Sequence, residues 1–481
     1  NKLILLYDKN DCTLDGPLSN SSIEDTKGRF LAAGWNDLEV KDGNDIEEID
    51  HALILAKTAK EKPTIIICPT VIGYGSELAG SHVSHGKAFS AEMVVKTKEN
   101  LGVSFPPFEV PEEAYRAFKD TFIARGKKAE EEDKKVLLNY KELHKEEYER
   151  FLDLKDNNVA PYLFADGPKY EDGFKDATRN TSQALLNIVA GELSNLFGGS
   201  ADVADSVKTH VKSFTDYSKD NRKGENINFG IREFAMGAIQ NGILLHGGLR
   251  TYVGCFLVFA DYRKPSIRRA ARERIPAIYL FSHDSLAVGE DGPTHQPIEQ
   301  LARLRAIPRL NLFRPADAIE TSAAYRSAFE SVDHPTAIIL SRQGLFNNPQ
   351  SSFQGSLMGG YVVSKEKEKA VLTLIATGSE VNLAVQAQEL LLADGIDVRV
   401  VSMPCTEIFN KQDASYQDEV FGNDYDHRVF IEMGKPDGNY RYAKNVFGVD
   451  DFGSSAPADQ VLDSYGFTPE KIANRIKSLL A

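Results

Sequence analysis

The chain has 481 residues, and at that length two to four domains are the usual expectation. Its 42% hydrophobic and 26% charged residues are typical of a soluble globular protein. The formal net charge of −14 argues against a nucleic-acid partner, so any anionic ligand has to meet local clusters of Arg and His.

The four cysteines lie far apart in sequence, at positions 12, 68, 255 and 405. This spacing predicts no disulfide framework and no C-x-x-C pair, and it favours a reducing, cytoplasmic location. No apolar run approaches the roughly 20 residues that a membrane-spanning helix needs, so we expect no membrane partner.

The first predicted element is a strand at Leu3–Tyr7 ("LILLY"), followed by the turn-prone sequence "KND". The run is apolar, so we expect a buried parallel strand whose polar end faces a ligand. Helical patterns such as Ile46–Lys60 and Ser379–Asp394 lie between similar β-branched runs. The further predicted strands are Thr64–Cys68, Ala277–Phe281, Ala337–Ser341, Val371–Ala376, Val398–Ser402 and Val429–Glu432. This alternation predicts an α/β fold with mainly parallel sheets.

Two segments of different composition divide the chain into three α/β blocks. Lys127–Arg150 is densely charged with mixed signs, and its apolar residues recur at helical spacing, which predicts a solvated helix leading into a linker. Asn347–Gly360 ("NNPQSSFQGSLMGG") is rich in Gly, Ser, Gln and Asn, which indicates a loop between domains.

The densest polar cluster is His283–His295 ("HDSLAVGEDGPTH"), directly after a predicted strand. Its Gly and Pro residues force an irregular path that a packing helix would not need. A solvated surface loop explains any one histidine here equally well, whereas the cluster as a whole favours a functional site. A zinc site is a second interpretation, but the spacing matches no common zinc pattern and no Cys is near.

Two neighbouring segments have both a structural and a functional interpretation. In Ile227–Gly248 a short strand runs into an apolar helix with Glu233 in its first turn, where a carboxylate also interacts favourably with the helix dipole. In Cys255–Tyr262 the rings of Phe256, Phe259 and Tyr262 recur every third residue. On a helical turn they form one face, for which core packing is the default interpretation.

Three further segments carry weak signals. Gly75–Phe89 holds His82 and His85 among glycines, but its third glycine is misplaced for a dinucleotide-binding fingerprint. Phe197–Ser206 and Leu340–Phe346 each follow an apolar stretch and offer small groups or an Arg to an anion.

Together these motifs resemble the transketolases, thiamine-diphosphate enzymes that transfer two-carbon ketol units between sugar phosphates. The matching motifs, in order, are "YDKNDCTLDG", "AGSHVSHG", "GGSADVADS", "FGIREFAMGAIQNGI", "GEDGPTHQPIEQLARLRAIP", "RPAD", "LSRQ" and "ATGSEV". They extend over essentially the whole chain. The resemblance implies reversible ketol transfer in the pentose phosphate pathway by a cytoplasmic homodimer with active sites at the subunit interface.

The resemblance also implies roles for residues that bind thiamine diphosphate. Glu233 matches the glutamate that activates the aminopyrimidine, and an apolar helix favours proton sharing with that ring. The implied aromatic pocket consists of Phe256, Phe259 and Tyr262. The other implied cofactor-binding residues are Asn10, His85, Asp202 and His295, of which His85 and His295 also approach the reacting carbons and, with Glu233, are the implied catalytic residues.

The implied substrate-binding residues are His85, Arg179, Ser206, His283, Asp291 and Arg342. Arg179 and Arg342 suit a phosphate because each guanidinium offers planar, paired donors. The side chain of Asn10 and the backbone carbonyl of Cys12 match metal ligands, and these oxygens suit Mg²⁺ or Ca²⁺. The Gly-Ser pair of "ATGSEV" stands at a predicted helix N-terminus, where we favour a structural role over anion binding.

The resemblance implies an incomplete diphosphate-binding domain at 1–125, a charged helix and linker at 126–165, a pyrimidine-binding domain at 166–346 and a C-terminal domain at 360–481. Family members carry about 170 further residues before Leu3, in line with a three-domain enzyme, and these hold a G-D-G motif whose aspartate completes the metal site. We therefore expect this chain alone to bind cofactor and metal weakly, to lack ketol transfer and to aggregate. Because an apolar edge strand such as "LILLY" would be prone to aggregation if it were exposed, we expect that the segment has been cleaved off or omitted from the sequence.

Two alternatives remain open. Within the superfamily, dihydroxyacetone synthase or phosphoketolase is the enzymatic rival, although "GEDGPTHQP" favours ketol transfer. From another class, a non-catalytic transketolase-like subunit or scaffold is the rival. Retention of Glu233, His295 and Arg342 argues against it, and the missing half of the metal site argues for it.

Overall fold

The computed structural model describes residues 2–156 and 167–481. The chain divides into two compact units, Asn1–Leu138 and Asn139–Ala481. In the described ranges, no helix combines the length and the apolar character needed to cross a membrane.

The first unit is a small α/β layer. Its strands are β1 (Ile4–Lys9), β2 (Cys12–Thr13), β3 (Gly16–Pro17), β4 (Asn36–Glu39) and β5 (Thr64–Pro69). Its helices are α1 (Thr26–Ala32), α2 (Ile46–Thr58), α3 (Ala91–Asn100), α4 (Glu112–Phe118) and α5 (Ala124–Leu143), with 3₁₀ turns at Leu18–Asn20 and His82–His85 and a π-helical turn at Lys119–Ile123. Asp45 caps α2 by accepting hydrogen bonds from the backbone N–H groups of Glu47 and Glu48.

The central strand of this unit is β5, which pairs in parallel with β1 and β4. Its residues Thr64–Cys68 are buried, and α2 packs on them. In contrast, Leu5 and Leu6 of β1 are 37% and 47% exposed. The expectation of a buried first strand is therefore wrong, because in the described part of the unit β1 has a strand partner on one side only.

The charged segment is helical, as predicted. It forms α5 and then α6 (Lys145–Asp156), and Val136, Leu138 and Leu143 are 63–68% exposed. Ion pairs such as Lys134–Glu130 support the exposed surface of α5, where tertiary packing contributes little. The predicted linker after α6 lies mostly at 157–166, outside the described residues.

The second unit contains two larger sheets and one small ribbon. Its strands are β6 (Lys175–Ala177), β7 (Leu196–Ser200), β8 (Asn226–Asn228), β9 (Arg250–Phe256), β10 (Ile278–Ser282), β11 (Asn311–Phe313), β12 (Thr336–Leu340), β13 (Gly344–Phe346), β14 (Tyr361–Ser364), β15 (Leu372–Ala376), β16 (Val398–Ser402), β17 (Arg428–Ile431) and β18 (Asn445–Phe447).

The α-helices of this unit that follow α6 are α7 (Thr178–Glu192), α8 (Ala204–Val207), α9 (Glu233–His246), α10 (Ala260–Arg272), α11 (Gln300–Arg305), α12 (Ala318–Glu330), α13 (Phe353–Leu357), α14 (Glu380–Ala393), α15 (Thr406–Phe409), α16 (Ala414–Phe421), α17 (Ala458–Ser464) and α18 (Pro469–Leu480). 3₁₀ turns lie at Leu257–Phe259, Leu286–Asp291, Tyr425–His427 and Pro436–Gly438.

The six-stranded sheet has the order β11-β12-β10-β9-β7-β8, and its strand pairs are all parallel. Helices α9 and α10 cover one face, whereas α7 and α12 cover the other. Because both faces are covered, every residue of β9, β10 and β12 is buried, which explains their continuous apolar sequences. This arrangement confirms the predicted α/β class.

The five-stranded sheet has the order β14-β16-β15-β17-β18, with β14 antiparallel to β16 and the other pairs parallel. Its central strands begin and end within one residue of their predicted bounds. The predicted loop at Asn347–Gly360 is only partly irregular. It contains α13, which Ser352 caps by accepting a hydrogen bond from the backbone N–H of Gly355.

Candidate functional site

The predicted polar loop lies at the carboxyl end of β10, as expected for a ligand site in a parallel sheet. Its residues Ser282–Gly289 are buried, whereas Asp291 is exposed. The interpretation of this segment as a solvated surface loop is therefore wrong for its first half, which is buried. The zinc interpretation gains no support, because the described ranges contain no group of three or more metal-ligating side chains.

His283 combines a positive backbone φ with a ring that packs against Phe256. His283 has a φ of 62°, a left-handed conformation that is uncommon for non-glycine residues and in which Asn, Asp and His are enriched. Its ring centroid lies 4.0 Å from that of Phe256, and its Nδ1 lies 2.8 Å from Ser282 Oγ. Backbone strain of this kind persists only where the surroundings fix the conformation.

A row of aromatic rings runs from the buried loop toward the surface. The ring centroids of Phe256 and Phe259 are 5.8 Å apart, and those of Phe259 and Tyr262 are 6.0 Å apart. His295 meets both phenylalanines edge-on, at 5.8 and 5.6 Å. The single helical turn expected for these rings is wrong, because they lie on the end of β9, a 3₁₀ turn and the first turn of α10. Tyr262 is 66% exposed.

Positive charge converges on His283. The charges of Arg179, Arg342 and His295 reinforce burial, which is the main cause, and together they lower the pKa of His283 to about 3. Arg179 donates from Nη1 to the carbonyl of Ser206 at 2.8 Å, and Arg342 donates from Nη1 to that of Val288 at 3.3 Å. A neutral imidazole between two guanidiniums is suited to bind an anion.

Glu233 is the first residue of α9 and is partly buried. One turn further on, a Cβ at Gly237 would lie 2.1 Å from Ser266 Oγ and 3.9 Å from Arg263 Nε, so glycine allows α10 to approach closely. Arg263 is fully buried, and none of its guanidinium nitrogens has a hydrogen-bond partner among the described residues. Burial lowers the pKa of Arg263, and the charges around it, including that of Glu233, oppose the change.

Asp202 follows β7 and is exposed, with a φ of 61°. The first unit holds the other predicted residues. Asn10 Oδ1 accepts a hydrogen bond from the backbone N–H of Cys12 at 3.0 Å. His85 is exposed at the end of a 3₁₀ turn that Ser81 caps. Asn10 and Cys12 are thus joined by a hydrogen bond, and they carry an amide oxygen and a backbone carbonyl oxygen, the ligand types that Mg²⁺ and Ca²⁺ prefer.

Sequence reasoning assigned no role to two buried residues, Asp284 within the polar loop and Arg314 after β11. Asp284 accepts hydrogen bonds from Arg314 Nε and Nη2 at 3.2 and 2.9 Å, and both side chains are at least 98% buried. Arg314 stands in the quoted "RPAD" motif, but an Arg in such a motif does not reveal whether it faces a ligand or another part of the fold. In sequence, Asp284 is one of three carboxylates in the polar loop, with Glu290 and Asp291, and the sequence pattern does not reveal which of the three is buried.

Family models match the chain in three consecutive segments. They are the transketolase thiamine diphosphate binding domain at 1–160, the transketolase pyrimidine binding domain at 175–347 and the transketolase-like C-terminal domain at 359–468. A probable transketolase of Streptococcus pneumoniae is 46% identical, and the alignment covers 99% of this chain and 73% of that protein.

The chain belongs to the transketolase family. Its other relatives include the transketolase of Geobacillus stearothermophilus, which is 45% identical over 100% of this chain and 73% of its own length. Among solved structures, a Pichia stipitis transketolase in complex with sedoheptulose 7-phosphate matches with a TM-score of 0.95 and 34% identity. That match covers 99% of this chain and 72% of the other. Because the match covers 99% of this chain, both units have counterparts in the transketolase fold.

Proposed function

We propose that this transketolase-family chain binds thiamine diphosphate with a divalent metal and transfers a two-carbon ketol unit from a ketose phosphate to an aldose phosphate. The observation that carries the proposal is the convergence of Arg179, Arg342 and neutral His283 at one end of the aromatic row. This provides an anion site beside a surface on which a planar ring can stack.

The described residues fit the cofactor in two respects. The row of Phe256, Phe259 and Tyr262 ends in an exposed ring, so an aromatic heterocycle has a face to stack on. Asn10 and the Cys12 carbonyl supply uncharged oxygen ligands for Mg²⁺ or Ca²⁺. The bound cofactor supplies the carbanion chemistry of ketol transfer, and the protein binds, orients and moves protons.

We assign roles to this chain's own residues as follows. Glu233 exchanges a proton with the ring of the cofactor, and His295 and His85 exchange protons with the substrate. Asp291 binds donor hydroxyl groups, and the substrate phosphate lies against His283, Arg179 and Arg342 near Ser206. Asp202 lies near the cofactor. These assignments rest on the resemblance and on the placement of the second-unit residues described above.

We further propose a homodimer in a reducing cytoplasm. Support for the dimer comes from apolar side chains on and beside α9: Ile231, Phe234, Ile239 and Leu245 are 47–77% exposed. A contiguous apolar patch on a soluble protein typically marks an interface. The four cysteines are free thiols, as expected in a reducing compartment. Light scattering on the purified protein measures the assembly directly.

The decisive experiment is a transfer assay with labelled donor. The assembled enzyme, in which the segment with the G-D-G motif is present, is incubated with thiamine diphosphate, Mg²⁺, xylulose 5-phosphate carrying ¹³C at C1 and C2, and an unlabelled aldose phosphate. We expect a product ketose phosphate, two carbons longer than the acceptor, with both labels, detected by mass spectrometry. With inorganic phosphate also present as the acceptor that a phosphoketolase needs, label recovered in acetyl phosphate contradicts ketol transfer and indicates a phosphoketolase, and unchanged donor indicates a non-catalytic subunit.

A further inference from the structure

The loop that carries the predicted substrate residues has two sides. Its inner side places His283 and His295 against the aromatic row. Its outer side contacts the C-terminal segment, which we define as residues 359–481. This segment contains none of the predicted site residues, so its contribution to function is open.

The most buried contact between the loop and the C-terminal segment is an ion-pair network. Arg314 follows β11 and binds Asp284 of the loop and Glu380 of the C-terminal segment at the same time. Its Nη1 and Nη2 lie 2.8 and 2.9 Å from the two carboxylate oxygens of Glu380, and Nη1 also donates to the Thr377 hydroxyl at 3.0 Å. Arg314 and Glu380 are fully buried, so water does not screen their attraction.

The glutamate of the motif "ATGSEV" is therefore linked to the loop through Arg314. The backbone N–H of Met433 also donates to Glu380, which leaves its carboxylate fully engaged. The adjacent Glu432 binds Arg305 through two hydrogen bonds, at 2.7 and 2.8 Å, and accepts the Thr377 hydroxyl at 2.6 Å. The network continues from the loop through Arg314 into the central strands of the C-terminal sheet.

A second contact holds the other end of the loop. Ser455 donates its hydroxyl to the carbonyl of Glu290 at 2.5 Å, and Gln296 donates its amide to the carbonyl of Ser454 at 3.0 Å. Gly292 has a φ of 70°, and a Cβ there would lie 3.0 Å from Ser455 Cβ. The loop backbone and residues 454–458 are thus in close contact, with hydrogen bonds that fix their register.

These contacts hold the backbone beside His283. The buried carboxylate of the next residue, Asp284, accepts two hydrogen bonds from Arg314, and leaving such a carboxylate unpaired is costly. The carbonyl of Val288, which accepts from Arg342, lies between the two anchored ends of the loop. The position of two groups at the anion site, His283 and Arg342, therefore depends on the outer side of the loop.

We propose that the C-terminal segment positions the phosphate-binding loop of this enzyme, with Arg314, Glu380 and Ser455 as positioning residues that set the placement of His283 and Arg342. This inference rests on the proposed function, and it assigns to the C-terminal segment a part in substrate affinity. A purely structural role predicts loss of stability with no change in substrate preference.

The test compares Ser455→Ala with Ser464→Ala. Ser464 is the matched control, because among the described residues its hydroxyl donates to the carbonyl of Val461 within α17 and to no other group. For Ser455→Ala we expect the KM of xylulose 5-phosphate to rise about three- to tenfold, the range for one lost hydrogen bond. The KM of hydroxypyruvate, a donor without phosphate, stays within about twofold, because that donor does not use the anion site. Ser464→Ala leaves both KM values unchanged.

A second pair probes the ionic contact. Glu380→Gln removes the charge that faces Arg314, and Glu389→Gln makes the same change at an exposed position of α14. Where Glu380→Gln folds, we expect it to raise the KM ratio of the two donors more than Ser455→Ala does. An equal rise for both donors, or an unchanged ratio with a lower Tm, overturns the proposal.

A binding measurement separates this inference from the proposed function. Titration calorimetry with inorganic phosphate reports on the anion site without turnover. We expect Ser455→Ala to weaken phosphate binding about three- to tenfold relative to the unmodified protein and to Ser464→Ala. Unmodified protein that binds phosphate but turns over neither donor contradicts the proposed function only. Equal phosphate affinity in all three proteins contradicts positioning by the C-terminal segment.

Discussion

The imidazole of His283 lies 4.0 Å, centroid to centroid, from the phenyl ring of Phe256, with 40° between the ring planes. Burial, together with the charges of Arg179, Arg342 and His295, lowers the pKa of His283 to about 3. His283 is therefore a neutral hydrogen-bonding group at physiological pH, and the two guanidiniums provide the charge that attracts an anion.

This pKa predicts how stability depends on pH. Below the ordinary pKa of histidine, about 6.5, the unfolded chain binds a proton at His283 that the folded protein does not, so stability falls as pH falls from about 6.5 toward 3. We expect His283→Gln to reduce the decline in Tm between pH 6.5 and 4. His246→Gln, at an exposed histidine, is the control. A decline as steep in His283→Gln as in the unmodified protein contradicts this explanation.

Glu320 has the opposite pH dependence. It is fully buried and accepts hydrogen bonds from Tyr361 Oη at 2.8 Å and Ser402 Oγ at 2.5 Å. Burial, reinforced by the negative charge of Asp317, raises the pKa of Glu320 to about 7. The folded protein therefore binds a proton that the unfolded chain releases between about pH 4.5 and 7, and stability falls as pH rises through that window.

We accordingly expect the Tm of Glu320→Gln to exceed that of the unmodified protein at pH 8. This difference in Tm should decrease as the pH is lowered toward 5. A glutamine can replace the bonds, because its oxygen can accept from the backbone N–H of Ala316 while its NH₂ donates to the two hydroxyls, which then act as acceptors. Glu330→Gln, at an exposed position of the same helix, is the control. A Tm difference between Glu320→Gln and the unmodified protein that is independent of pH shows that Glu320 does not titrate here.

Glu233→Gln tests the proposed acid–base residue. In the assembled enzyme we expect turnover to fall about 100- to 10,000-fold, the usual share of general acid–base catalysis, while thiamine diphosphate still binds. Steady-state kinetics and calorimetric titration with cofactor measure the two effects separately. Glu192→Gln, at an exposed position of α7, keeps full turnover. Near-normal turnover in Glu233→Gln overturns the assignment.

Arg342→Ala tests the anion site. A charge-assisted hydrogen bond contributes about 1.5–3 kcal/mol, so we expect the KM of a phosphorylated ketose to rise about tenfold to a hundredfold. The KM of hydroxypyruvate changes far less, because it has no phosphate. Arg268→Ala removes an exposed arginine from α10 and serves as the control. An equal rise in KM for both donors means that Arg342 does not bind the substrate phosphate.

The fold class and most strand positions follow from sequence, because a strand covered on both faces needs a continuous apolar run. "AIYLF" and "VRVVS" show this pattern, and the structure places strands there within one residue. The exposure of β1 does not follow from "LILLY". An apolar run indicates that a strand is more stable when it is buried. Whether the strand is buried depends on which strands and helices pack beside it in the fold.

The sequence by itself determined the family and the residue types for the proposed chemistry, because motifs such as "GEDGPTHQP" restrict short segments to one backbone path. Only the tertiary structure decided that His283 is neutral, since its pKa is lowered mainly by burial and further by the charges of Arg179 and Arg342, which come from distant segments. It also decided that Glu380 binds Arg314, 66 positions away. Electrostatic interactions act through space, so their partners and strength depend on how the chain folds.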